Sequence, residues 1–325
     1  MAVMTGLADT ESNTIALGKA RSAVIQDRIF FYMTLASAAF VVLLLLGVMV
    51  SLLIGAWPAL STFGPSFIWT QRWSPVKEIF GALAPIYGTI ITSLIAMIIG
   101  IPVSFGIAIF LTEICPQPLR RPIGTAIELL AGIPSIIYGL WGFFFLAPVL
   151  QTTVQPWLIG SIGKVPGIGI LFGGAPYGIG LMTAGIILAI MVLPFITSIT
   201  RDVFMTVPVL LRESAYGMGM TTWEVVMAII IPYTRVGLVG GIMLGLGRAL
   251  GETMAVTFVI GNSHNISSSL LAPATTISST IANEFAEAHG ELYTSSLIAL
   301  GLILFVITFA VLAAAKWMLG RAEVK

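Results

Sequence analysis

Two ionisable residues stand inside an otherwise apolar stretch. Arg248 and Glu252 occur in Gly-Leu-Gly-Arg-Ala-Leu-Gly-Glu-Thr, within a candidate membrane span over 236–261. Placing an ionised side chain at the bilayer centre costs about 2.5–3.5 kcal/mol, so both must face protein or water rather than lipid. On a continuous helix a separation of four puts them on one face, with β-carbons about 5–6 Å apart, and the guanidinium can reach the carboxylate. One reading is a closed ion pair that holds helices together. The other is an anion path, because Arg meets phosphate oxygens two at a time and keeps its charge at physiological pH. Glu252 would then hold Arg248 weakly committed, so that an anion is met and released. Gly245, Gly247 and Gly251 allow a neighbouring helix to approach this segment closely.

Other residues offer less chemistry. Glu128 falls about one and a half turns into a span expected over 123–150, where a helix N-terminus tolerates it, and reads as structural. Glu113, Arg120 and Arg121 close a tight turn, with Cys115 beside them. A single cysteine permits no intramolecular disulfide, and His264 and His289 lie in a polar stretch that does not have ordinary zinc-site spacing. Gly163-Lys164 and Gly18-Lys19 are not followed by Ser or Thr, so no phosphate-binding Walker loop exists; HExxH and GxSxG are also absent. The chain therefore carries no metal or cofactor of its own and performs no covalent chemistry. Energy for any pumping must come from a partner.

The elements that position these residues follow from composition. Of 325 residues, 58% are apolar and 9% charged, against about a quarter charged in soluble domains. The formal charge of +1 gives no global field for nucleic acid. Runs of about 20 apolar residues lie near 29–54, 84–112, 123–150, 179–200, 236–261 and 293–317. They predict an all-α integral membrane protein with six transmembrane helices. Pro85, Pro102, Pro134 and Pro194 mark starts, kinks or ends. Lys19, Arg21, Arg28, Arg120, Arg121, Arg201, Arg212, Arg235, Lys316, Arg321 and Lys325 fall on one side. Only Arg72, Lys77 and Lys164 fall on the other, which places both termini in the cytoplasm.

The expected organisation is a cytoplasmic N-terminal tail (1–28), a first span with its outer loop (29–83), a core over 84–318 and a cytoplasmic tail over 319–325. No cleavable signal peptide is visible. The outer connections, 55–83, 151–178 and 262–292, are long. Trp57, Trp157 and Trp317 read as interfacial anchors, and Glu284, Glu287 and Glu291 as a solvated face.

The sizeable inner connection, 201–235, is patterned as helix, glycine break, helix. Pro208 offers a start and Gly217 and Gly219 a stop; Thr221-x-x-Glu224 has the form of a capping box, and Pro232 ends the second helix. This element exposes Leu210, Leu211, Tyr216, Trp223 and Met227, an apolar surface that needs a partner or the bilayer face.

Glu213-Ser214-Ala215, Gly219 and Ile229-Ile-Ile-Pro232 resemble the EAA signature of permease subunits in bacterial ABC importers, with Ser214 and Ile231 as departures. The stretches IELLAGIPSIIYGLWG, RESAYGMGMTTWEVV and GGIMLGLGRALGETMAVTFVIGN are similar to the C-type membrane subunits of Pst phosphate importers. The resemblance implies a type I ABC importer permease fold in the bacterial inner membrane, embedded in membrane lipid, with phosphate as cargo. It also implies a second related permease subunit, two ATPase subunits that bind ATP and Mg, and a periplasmic phosphate-binding protein. It assigns phosphate passage to Arg248 and Glu252, and ATPase coupling to Glu213, Ser214, Ala215, Gly219 and Pro232. Sulfate or molybdate importers share the fold; a passive anion channel or an intramembrane enzyme are the other classes.

Overall fold

The computed structural model describes the backbone of residues 2–323 and the side chains of residues 25–317. The basic side chains expected at positions 19, 21, 321 and 325 lie outside the described residues. Two compact units divide at Ile54 and Gly55. The first is helical throughout its described length, as part of α1 (Ala2–Phe63). The second holds α2 (Leu83–Ile114), α3 (Gln117–Ala131), α4 (Ser135–Lys164), α5 (Leu181–Met205) and α6 (Val209–Gly217). It continues with α7 (Thr222–Gly251), α8 (Met254–Val259), α9 (Ile277–Glu284) and α10 (Glu291–Glu323).

Among the described residues six helices are long and apolar enough to cross a membrane: Ile25–Phe63 of α1, α2, α4, α5, α7 and Glu291–Trp317 of α10. An isolated bridge, Ser74 to Ile79, is the extended pairing found among them. The span count agrees with the apolar runs, but two of the spans differ from expectation. The run over 123–150 is broken at Gly132-Ile133-Pro134, because a proline disfavours helical geometry in the residue before it. Its first part, α3, is a separate amphipathic helix, and the span begins at Ser135, so Glu128 lies outside the membrane-crossing segment. The run over 236–261 is also divided, with α7 ending at Gly251 and a short α8 following.

α5 is the centre of the second unit, with 67% of its most apolar stretch buried. It packs most extensively on α2, then on α7 and α3, while α8 lies against the first turns of α4. Leu181, Ala184, Ile187, Leu188 and Met191 of α5 meet Ala96 of α2 and Ala255, Val256 and Val259 of α8 in the main core. Pro102 and Pro194 are accommodated inside α2 and α5, and Ser104 Oγ donates to the Leu193 carbonyl (3.2 Å) across their contact.

Candidate functional site

α7 carries the candidate anion residue, and glycine sets how it packs. A β-carbon at Gly245 would lie 2.7 Å from Ile196 Cγ1 and 3.0 Å from Val192 Cγ1, both fully buried in α5, so only glycine permits this approach. Gly247 and Gly251 face open space instead. The close packing expected of all three belongs to one.

Three glycines in seven residues weaken the helix, and it stops at Gly251. Glu252 is extended (φ −70°, ψ 130°), and α8 restarts at Met254. The single helical face expected for Arg248 and Glu252 therefore does not exist, and no ion pair joins them among the described residues. Each charge is held locally. Glu252 Oε1 accepts from the Ala255 N–H (3.2 Å), capping α8. Arg248 lies in the last turn of α7, where orphan carbonyls favour a cation. Its guanidinium carbon is 4.3 Å from the centre of the Phe195 ring, a cation–π contact that consumes no N–H donor. Arg248 Nε is buried without a hydrogen-bond partner. An intramembrane cation is thus held in place with its donor capacity largely unspent, beside a half-buried carboxylate engaged elsewhere.

The helix–glycine–helix corner forms as the pattern predicts. α6 ends at Gly217, and Gly219 takes φ +86°, a conformation that suits glycine. Thr221 and Glu224 make the reciprocal capping box, with Thr221 N to Glu224 Oε2 at 2.8 Å. Pro232 does not end the second helix. A π-turn over Val226–Ile230 loosens the hydrogen-bond ladder just before it, so the proline falls in the first turn of the α-helical continuation, where its missing N–H costs little.

Ala215, Val225, Val226 and Ile230 are buried against Ala108, Phe204, Val207 and Leu238. Leu210 (74% exposed), Leu211, Tyr216, Trp223 (67%) and Met227 point outward, with Glu213 and Ser214 on the exposed side. Ala215 and Gly219 therefore shape the corner, and the remaining residues form its surface.

Two ion pairs that the linear sequence gave no means to find fix this end of the bundle. Arg212 Nη1 of α6 lies 2.9 Å from Glu113 Oε1 at the end of α2, and Arg212 Nη2 also donates to the Phe204 carbonyl. Arg201 Nη2 of α5 lies 2.7 Å from Glu128 of α3. Glu113 thus anchors α6 rather than merely closing a turn.

At the opposite end Glu284 is not part of a solvated face. It accepts from Trp73 Nε1 (2.5 Å) and the Tyr293 hydroxyl (2.7 Å), and pairs with His264 Nε2 (2.9 Å). Trp73 stacks on His264, with ring centroids 5.3 Å apart. Burial pushes the Glu284 carboxyl up, but the hydrogen bonds from His264, Tyr293 and Trp73 outweigh it and hold the group below its ordinary value. Glu287 and Glu291 remain exposed, as do Trp57, Trp157 and Trp317.

The chain matches known proteins along most of its length. It is 67% identical over 94% of its residues, and 93% of the relative, to the phosphate transport system permease protein PstC of Mesorhizobium japonicum. It is 54% identical over 91% of its residues, and 94% of the relative, to the protein of the same name from Haemophilus influenzae. Among solved structures, a bacterial ABC transporter involved in the import of the acidic polysaccharide alginate superposes with a TM-score of 0.60 at 17% identity. That superposition covers 93% of this chain and 99% of that one, a likeness of fold alone. The family model for binding-protein-dependent transport system inner membrane components matches residues 100–323. With the six apolar helices, the buried α5 and the capped, apolar-faced corner between α5 and α7, these matches make the chain a member of that inner membrane transport family.

Proposed function

We propose that this chain is a membrane-spanning permease subunit of an ATP-driven inorganic phosphate importer and forms half of its translocation path. The relatives named above support phosphate as cargo. The observation that carries the reading is Arg248, a cation in an apolar span that pairs with no carboxylate among the described residues and whose donors are not consumed by its aromatic contact. An unpaired intramembrane charge is costly. A passing phosphate offsets that cost only while bound, which suits a residue that must also let go. Glu252 is a positioning residue: it caps α8 and keeps the break between α7 and α8 in place.

The chain has no Walker loop, so energy comes from outside it. The corner formed by α6 and the start of α7 is the docking surface for a cytoplasmic ATPase, through Glu213, Ser214 and the apolar residues around them. Ala215, Gly219 and Pro232 set its shape. Two such ATPases holding ATP and Mg, a second related permease subunit and a periplasmic phosphate-binding protein complete the assembly, with both termini of this chain in the cytoplasm.

The test is ATP-driven phosphate uptake by the assembled importer in vesicles. Arg248→Gln is expected to lower uptake at least about tenfold, the equivalent of one charge-assisted contact, at unchanged membrane abundance. Glu252→Gln, whose amide oxygen can still cap α8, should transport close to normally, whereas Glu252→Ala should not. Full uptake by Arg248→Gln would overturn the reading.

A further inference from the structure

A cavity of ≈ 450 Å³ lies at the basic end of the bundle, where the end of α2, α3, the end of α5 and α6 converge. Four arginines, Arg120, Arg121, Arg201 and Arg212, line it against one acid, Asp202. Arg201 is committed to Glu128 and Asp202, and Arg212 to Glu113. Arg120 gives Nη2 to the Cys115 carbonyl (3.3 Å), while its Nε and that of Arg212 are buried with no partner. Neither Arg120 nor Arg121 is ion-paired among the described residues. Both also line an adjoining hollow of ≈ 620 Å³ with Gln117 and Pro118.

This arrangement is unfavourable as it stands. Buried N–H donors without acceptors cost stability. Arg120 and Arg121 directly follow the first turn of α3, a fifteen-residue helix with no acid in that turn, whose N-terminal end favours an anion over further cations. One change of occupancy relieves both conditions: an anion with several acceptor oxygens.

We propose that this cavity binds a phosphate group, held by the forks of Arg120 and Arg121 and the free Nε of Arg212. Guanidinium groups approaching from two elements suit a tetrahedral group with oxygens on several sides better than a planar carboxylate. The group has two sources with the same chemistry. One is the headgroup of an anionic phospholipid, since the cavity opens where α2 and α5 end and Leu111 and Met205 share its wall. The other is free inorganic phosphate. Either occupant ties α3 to α6 through Arg212 and so braces the exposed corner.

The test is native mass spectrometry of the full chain released from nanodiscs of phosphatidylcholine alone, of phosphatidylcholine with phosphatidylglycerol, and of phosphatidylcholine with millimolar inorganic phosphate. Wild type is expected to retain one phosphatidylglycerol or one phosphate, and the arm that shows it identifies the source. Arg120→Gln/Arg121→Gln is expected to lower that occupancy at least about tenfold, and Arg120→Lys/Arg121→Lys to recover part of it. Arg121→Gln alone is the second variant, because Arg121 is exposed and substitutions at exposed positions usually change stability little; it should weaken retention as well. Retention of neither probe by wild type, or equal retention by wild type and both Gln variants, would overturn the proposal.

Discussion

Glu113 offers the sharpest test of how the exposed corner is held. Its side chain is 5% exposed and that of Arg212 18%, at an N–O distance of 2.9 Å. At an effective dielectric of about 20, opposite charges at that separation attract by roughly 6 kcal/mol, most of which is offset by desolvation. Removing one partner is worse than removing both, because a buried charge is left behind; the usual cost is about 3–5 kcal/mol. Glu113→Gln should fall near 3 kcal/mol, since the Phe204 carbonyl still accepts from Arg212 and the amide oxygen keeps a weaker contact.

Arg212→Met leaves Glu113 buried and should cost a similar amount. The double variant should cost less than the two singles summed, by about 2 kcal/mol. SDS-induced unfolding of the purified chain measures the stabilities, and ATP hydrolysis coupled to uptake in the assembled importer measures the consequence. The singles should hydrolyse ATP with reduced transport, because α6 has lost its tether to α2. Additive costs within about 0.5 kcal/mol, or full coupling in Glu113→Gln, would refute the reasoning.

Three further outcomes are expected. Gly245→Val places carbon against Ile196 and Val192, which have no exposed side to move into, and should cost about 1–3 kcal/mol by SDS unfolding; a neutral result would mean that α5 and α7 are not packed as described. Trp223→Asp puts a charge on the exposed apolar face of the corner and should abolish co-purification with the ATPase while leaving the unfolding midpoint unchanged, and retained co-purification would place the docking surface elsewhere. Glu284 has a lowered folded-state value, so its contribution is fully present above the ordinary carboxylate range and is lost as pH falls through and below that range. Wild-type stability should therefore decline on acidification below about pH 4.5 more steeply than that of Glu284→Gln, and parallel curves would remove Glu284 from that role.

What was legible in the amino-acid order is local in origin. Six apolar runs of spanning length appear as six apolar helices, since length and hydropathy decide that without reference to neighbours. Gly219 and the Thr221–Glu224 box act within a few residues and form as their pattern requires. The exposed apolar residues of the corner follow from the same helix–glycine–helix pattern. Two misread boundaries were also local and had signals: Gly132-Ile133-Pro134 marks a helix end, and three glycines before Glu252 weaken a continuous helix.

Only the folded chain decided the rest. Arg212 meets Glu113 and Arg201 meets Glu128 across distant parts of the sequence, and opposite charges that far apart have many candidate partners until packing selects one. His264, Glu284, Trp73 and Tyr293 come from three segments, so an acid that looked solvated became the acceptor of a half-buried cluster. The same holds for Arg248. Its type and place in an apolar span were written in the chain, but whether Glu252 neutralises it depends on backbone direction at one residue. That direction is extended, and the tertiary contact with Phe195 leaves the cation available.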